Sequence, residues 1–308
     1  MPLDPQVVVY LHNRAARGLP PTHTQTPEQH RSYLDLGPFS VGPEIHDVRQ
    51  VIIPCQGGHE NAARLYIPSA ASGLPVLVFF HGGGWVSGNL DGIDGSMRHL
   101  ALASGCIVVA AAYRRAPEYK FPVPFEDSFA AVEWTYWNIE RWGGDPHRIS
   151  VGGSSAGGNL AAAVCLRWRN EKRTPAIRTQ LLIYPCLDAT CETQSFIDNA
   201  SGYVLTTPGM KWYWNHYLRS EADHGVPYAC PLAERDLSGL PETLVLTGEY
   251  DPLLDDGRRY AEALARAGVA VTWRDYAGMV HGFFNQWHLI DRGLESIRET
   301  GVWLAARG

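Results

Sequence analysis

No stretch of eighteen consecutive apolar residues occurs in the 308-residue chain, which argues against a membrane-spanning helix. Blocks of like charge are missing too. The 26 Lys and Arg stand against 32 Asp and Glu, a formal net charge of −6, so neither nucleic acid nor an anionic membrane surface is expected as a partner. Internal repeats and low-complexity tracts are absent. Cysteine is sparse: Cys55, Cys106, Cys165, Cys186, Cys191 and Cys230 show no pair of C-x-x-C spacings and no adjacent histidine. A metal site is therefore not expected, a chain of this length needs no disulfide staple, and free thiols are the reading even for the neighbours Cys186 and Cys191. No organic cofactor is implied. The opening Met1-Pro2-Leu3-Asp4-Pro5-Gln6 lacks the basic start and apolar run of a secretory signal, so a cytoplasmic protein is expected.

What is present is an ordinary globular composition, 45% hydrophobic and 19% charged, in a chain long enough for a large core. Its patterns alternate between strand and helix. An antiparallel edge pair is expected at Val48 to Pro54 and Ala63 to Pro68, then buried strands at Pro75 to His81, Cys106 to Ala112, Arg148 to Val151, Thr179 to Tyr184, Thr243 to Thr247 and Val269 to Asp275. Helices are expected near Gly95 to Ala103, Phe125 to Trp142, Leu160 to Trp168, Asp256 to Ala267 and Leu289 to Ala306. This is the pattern of a mostly parallel sheet with helices on both faces. Two stretches stand apart. Residues 1–45 suggest two helices, Val7 to Ala16 and a second one started by Thr26-Pro27-Glu28-Gln29 and ended by Gly37-Pro38. Between Pro185 and Thr243 no buried strand pattern occurs, only an aromatic helix over Met210 to Leu218. So long a span reads as an inserted helical cap over the strand ends.

The chemistry centres on Gly153-Ser154-Ser155-Ala156-Gly157, a G-x-S-x-G between a strand and a helix. That spacing builds a turn so tight that only small neighbours fit, and it stands the middle hydroxyl clear of the sheet at a helix N-terminus. Ser155 is the candidate nucleophile; the bland alternative is a Gly/Ser loop that merely turns the chain. Serine needs a base, a group to orient that base, and donors for an oxyanion. Gly82-Gly83-Gly84, directly after a buried strand and His81, offers backbone N–H groups, with the N–H of Ala156 as a third. Of twelve histidines, His281 in Gly278-Met279-Val280-His281-Gly282-Phe283 has the right place after the last strand, with His288 on the following helix as rival. The acid follows the penultimate strand. Asp251, held extended before Pro252, is favoured over Glu249, while Asp255 or Asp256 reads as a cap of the next helix.

Taken together, His81-Gly82-Gly83-Gly84-Trp85, Tyr113-Arg114-Arg115-Ala116-Pro117-Glu118, Gly153 to Asn159, Asp251-Pro252-Leu253-Leu254-Asp255-Asp256 and His281-Gly282-Phe283 make the chain resemble the hormone-sensitive-lipase family of carboxylesterases, within the α/β-hydrolases. The resemblance runs from about Arg64 to the C-terminus. It implies an α/β-hydrolase fold with a mostly parallel eight-stranded sheet and a helical cap. Its division would be 1–45 as the N-terminal part of the cap, 46–187 as the first part of the core, 188–228 as the inserted part of the cap and 229–308 as the rest of the core. It implies a catalytic triad of Ser155, Asp251 and His281 and an oxyanion hole of Gly83, Gly84 and Ala156, with His81 shaping that loop rather than moving protons. Ser154 and Arg115 depart from the family, where Asp and Leu are usual. The expected activity is hydrolysis of short- to medium-chain acyl esters through an acyl-enzyme, with Trp85, Trp212 and Tyr213 against a small apolar pocket. Two other readings remain open. An amide-directed hydrolase, a formamidase or peptidase, uses the same triad; a non-catalytic receptor on this fold would lack the catalytic histidine that His281 supplies. The partner is a small ester, and a homodimer is compatible with the sequence.

Overall fold

The structure, a computed structural model, describes residues 2–37 and 39–308. Hydrophobic patterning builds its sheet. In β3 (Leu74–Phe80), Val76, Val78 and Phe80 enter one core while Leu77 and Phe79 enter a second. A strand without a polar position has to be covered on both faces, and the fold does so. Eight strands form one sheet in the order β1 (Asp47–Pro54), β2 (Glu60–Ile67), β4 (Ile107–Ala111), β3, β5 (Gly144–Ser154), β6 (Thr179–Ile183), β7 (Glu242–Tyr250) and β8 (Val271–Val280). β2 runs antiparallel to both β1 and β4, and every other pairing is parallel.

On one face α4 (Val123–Asn138), α5 (Ala156–Asn170) and α8 (Leu254–Arg266) bury Phe125, Phe129, Leu160, Tyr260 and Leu264. On the other, α3 (Asp94–Ser104) and α9 (Asp291–Ala305) bury Met97, Leu100, Ile297 and Trp303. α5 is buried on all sides over Ala156 to Leu166, and small residues, among them Ala161, Ala162 and Ala163, let it pack closely. α1 (Pro5–Ala16), which adds Val7 to the second core, and α2 (Pro27–Leu34) precede the sheet. The β6–β7 connection holds α6 (Gln194–Asp198) and α7 (Thr207–Tyr217). No helix among the described residues is long and apolar enough to cross a membrane.

The elements differ from their expected bounds where tertiary contacts override local signals. Thr26 caps α2 through a reciprocal box with Gln29, but the helix stops at Leu34, two residues short. Asp35 leaves the helix there to accept the Gly88 N–H at 2.8 Å; Pro38, the expected stop, lies outside the described residues. The helix expected through Trp142 is α4 plus a 3-10 turn over Ile139–Trp142, closed by Gly143 at φ 83°. The short helix α6 had no sequence signal; buried Ser195 and Phe196 hold it in place. His288 lies in a turn before α9, not on that helix. Asp255 and Asp256 do not cap α8, whose N-cap residue is Leu253. Both lie inside the first turn and reach sideways: Asp255 accepts the Ser195 N–H at 3.0 Å, and Asp256 accepts the N–H groups of Leu187 and Asp188 at 2.8 and 3.1 Å. They anchor the start of the β6–β7 connection. All six cysteines are free.

Asp256 has a consequence for pH. It is fully buried, and burial pushes its carboxyl up to about 8, outweighing the two N–H bonds that favour the anion. Unfolded, the group ionises near 3.9. Between those values the folded chain holds a proton that the unfolded chain has lost, so this group's contribution is complete below the unfolded value and is lost as pH rises through about 8. Asp256→Asn still offers an oxygen to both N–H groups and cannot titrate. The Tm of this variant minus that of the wild type is expected to grow as pH is raised from 5 to 8. A difference constant across that range would rule out a protonated Asp256.

Candidate active site

Four functional segments sit at the C-terminal ends of parallel strands, where open α/β sheets bind ligands. His81 follows β3, Ser155 follows β5, Asp251 follows β7 and His281 follows β8. Tight turns at these ends need glycine. A Cβ on Gly157 would lie 2.0 Å from the Phe80 carbonyl oxygen, and one on Gly153 would lie 2.2 Å from that of Gly157. Only with both positions bare can α5 start directly against the sheet. Ser155 sits between them at φ 56° and ψ −119°, a conformation that costs a side-chain-bearing residue on the order of 1–3 kcal/mol. Its N–H donates to the Ile183 carbonyl at 2.9 Å. Asn159, one turn on, ties α5 to the Cys186 and Ala229 carbonyls at 3.0 and 2.8 Å.

Ser155, His281 and Asp251 form one hydrogen-bonded line. His281 Nδ1 is 2.6 Å from Asp251 Oδ2 and His281 Nε2 is 3.0 Å from Ser155 Oγ. A carboxylate only accepts, so Nδ1–H donates to it and the Nε2 lone pair faces the serine hydroxyl. Asp251 is wholly buried, and its second oxygen accepts the Leu253 N–H at 2.9 Å. Asn199, from the segment after α6, donates to the Asp251 backbone carbonyl at 3.3 Å. The Tyr184 ring meets the His281 ring edge-on, with centroids 4.7 Å apart. The alternatives fall elsewhere. Glu249 accepts the Gly278 N–H at 2.8 Å, and His288 does not line the cavity that reaches Ser155.

Beside the serine, the loop after β3 turns through Gly83 at φ 112° and Gly84 at φ 60°. A Cβ at Gly83 would lie 2.1 Å from the Ser87 carbonyl oxygen, and one at Gly84 2.0 Å from the Tyr213 ring. The N–H groups of Gly83, Gly84 and Ala156 have no hydrogen-bond acceptor among the described residues. Unpartnered donors from this loop and from the N-terminus of α5 suit developing negative charge. His81 is buried and stacked on Tyr113, with centroids 4.4 Å apart. Burial pushes its imidazole down to about 4, so it is neutral at pH 7. The two family departures have separate surroundings. Arg115 pairs with Asp35 and donates to the Gly88 carbonyl at 3.1 Å, whereas the Ser154 hydroxyl is buried without a partner.

A cavity of about 260 Å³ opens over Ser155 and His281. Of the three aromatics expected in its wall, Tyr213 is there. Trp85 is not: it is fully buried, stacked on Tyr217 at 4.1 Å, and fastens the loop to α7. Trp212 is also absent from the wall and packs behind it, against His30 and His216. Helical periodicity separates the neighbours Trp212 and Tyr213, which no aromatic count reveals. Contributors that the sequence reading missed are Tyr10, Arg14 and His30 from α1 and α2, and Val204, Leu205 and Met210 from the β6–β7 connection. The i, i+4 spacing of Tyr10 and Arg14, which puts them on one face of α1, was the one available signal. No cluster of three or more metal-binding side chains occurs among the described residues.

This sheet order, with a serine elbow after β5 and the facing histidine after β8, is that of the α/β-hydrolases. The sequence profile of the alpha/beta hydrolase fold matches residues 77–285. Carboxylic ester hydrolase LipN of Mycobacterium tuberculosis is 41% identical over 256 residues, covering 80% of this chain and 67% of that protein. The ethyl acetate hydrolase of Pseudomonas putida is 32% identical over 96% of both chains. The solved structure of a hyperthermophilic esterase from the archaeon Pyrobaculum calidifontis superposes with a TM-score of 0.92 at 37% identity, covering 99% of each chain. The chain belongs to the α/β-hydrolase family, in its hormone-sensitive-lipase branch of carboxylesterases.

Proposed function

We propose that this chain is a serine carboxylesterase that cleaves short- to medium-chain acyl esters. The observation that carries the reading is the hydrogen-bonded line Asp251–His281–Ser155 beside three unpartnered N–H groups. Ser155 Oγ attacks the ester carbonyl carbon as its proton passes to His281 Nε2. The N–H groups of Gly83, Gly84 and Ala156 receive the oxyanion. The alcohol leaves with the His281 proton, and water repeats the attack on the acyl-Ser155. Asp251 orients the imidazole and stabilises its charged form.

A cavity of about 260 Å³ lies just below the range of about 300–1,000 Å³ usual for ligand pockets, which supports a small acyl or alcohol group. The division into a cap, 1–45 and 188–228, and a core, 46–187 and 229–308, belongs to the same reading. Wall residues such as His30 and Tyr213 from the two cap segments support it. The experiment is release of nitrophenol from acetate, butyrate, octanoate and palmitate esters, with butyryl 4-nitroanilide as matched amide. Turnover is expected to peak at acetate or butyrate and to be far slower on the anilide. A maximum at palmitate, or an anilide cleaved faster than its ester, would overturn the reading.

A further inference from the structure

Two chambers meet above the serine. The one that reaches Ser155 adjoins a second of about 290 Å³, enclosed by the α1–α2 connection and residues 202–206. Arg14, Thr22, His30, Leu34 and Val204 line both, so they form the waist between them. The chain carries 32 acidic residues, yet among the described residues neither wall includes an aspartate or glutamate. Arg14 is the single Lys or Arg on either wall. Two neighbouring guanidinium groups are ion-paired, Arg31 with Glu118 at 2.6 Å and Arg115 with Asp35, while Arg17 lies off both walls and donates to the Tyr33 carbonyl at 3.3 Å. Arg14 has no ion-pair partner among the described residues. The other titratable group at the waist adds no charge. His30 Nδ1–H donates to Gln25 Oε1 at 2.9 Å and its Nε2 accepts the Tyr213 hydroxyl at 2.7 Å. Burial, aided by the Arg14 charge, pushes His30 down to about 4. A cleft whose walls carry no carboxylate and one unpaired cation focuses its field on an incoming anion.

We propose that Arg14 forms an anion subsite, so that the esters this chain prefers carry a carboxylate on the acyl or the alcohol arm, placed at the waist during turnover. The proposal rests on the esterase reading and names its substrate class. A guanidinium pairs with a carboxylate through parallel N–H donors, which a neutral ester of equal length cannot use. Arg14 also lies in the last turn of α1, where a cation suits the helix dipole. The test therefore compares Arg14→Gln with Arg14→Lys, which keeps that charge.

Two matched pairs locate the anion: monoethyl adipate against ethyl hexanoate for the acyl arm, and 4-acetoxybutanoate against butyl acetate for the alcohol arm, with acid release followed by pH-stat. In the wild type one anionic ester is expected to exceed its neutral partner in kcat/KM. Arg14→Gln is expected to lower that anionic-to-neutral ratio about 10- to 100-fold, mostly through KM, with Arg14→Lys recovering part of it. Raising the ionic strength should narrow the ratio in the wild type and leave it unchanged in Arg14→Gln. If Arg14→Gln shifts both members of each pair equally, or if the wild type prefers the neutral member of both pairs, the subsite is excluded while the esterase reading stands. If the wild type cleaves none of the four esters, nor any nitrophenyl ester, the esterase reading fails and the subsite with it.

Discussion

Ser155→Ala is expected to lower kcat on 4-nitrophenyl butyrate by about 10⁴–10⁶-fold while leaving Tm within a few degrees of the wild type. The Ser155 hydroxyl is the partner of His281 Nε2 at 3.0 Å, and without it there is no atom to carry the acyl group. What survives is the contribution of the oxyanion donors and of substrate positioning, which leaves a residual rate above that in water. Stability should hardly move, because alanine keeps the Cβ and the turn at φ 56° is imposed by Gly153, Gly157 and the Ile183 carbonyl. Turnover by the purified variant and its thermal melt are the two measurements. Full activity in a folded Ser155→Ala protein would end the serine mechanism.

The second large effect is expected at Asp251. Asp251→Asn is nearly isosteric and can still accept the Leu253 N–H, so the turn after β7 should survive. Its amide, however, offers a donor to His281 Nδ1 where the carboxylate offered an acceptor at 2.6 Å. The imidazole then moves its proton to Nε2 and presents an N–H, not a lone pair, to Ser155. With the base in the wrong tautomer, kcat is expected to fall about 10⁴-fold with KM little changed. Glu249→Gln is the control, since Glu249 accepts the Gly278 N–H and does not touch His281 in the hydrogen-bonded line. An equal or larger loss in Glu249→Gln would move the acid role away from Asp251.

The candidate site was legible in the sequence because its chemistry is local. G-x-S-x-G writes a steric requirement into five residues: a Cβ at Gly157 would strike the Phe80 carbonyl and one at Gly153 that of Gly157. The triple glycine likewise answers contacts of 2.0–2.1 Å with Tyr213 and Ser87. Strand patterns located β3 and β6 closely, since both are buried on both faces: β3 is continuously apolar, and β6 carries the apolar run Leu181 to Ile183. Asp255 and Asp256 show the limit. Local rules make such residues helix caps, but here they fasten a segment that lies some sixty or more positions away in the chain.

The sequence by itself determined the sheet-and-helix alternation, the family, and the order in which nucleophile, acid and base arrive, because each is carried by short-range periodicity or by the sterics of adjacent residues. Tertiary structure alone decided which side chains face the ester. Trp85 and Trp212 turn away into packing while Tyr213 lines the cavity, and Tyr10, Arg14 and His30 reach it from helices far from the serine in the chain. Wall membership depends on the rotation of α1, α2 and α7 about their axes, and long-range contacts such as the hydrogen bond between His30 and Tyr213 fix that rotation. No pattern within a single helix encodes it.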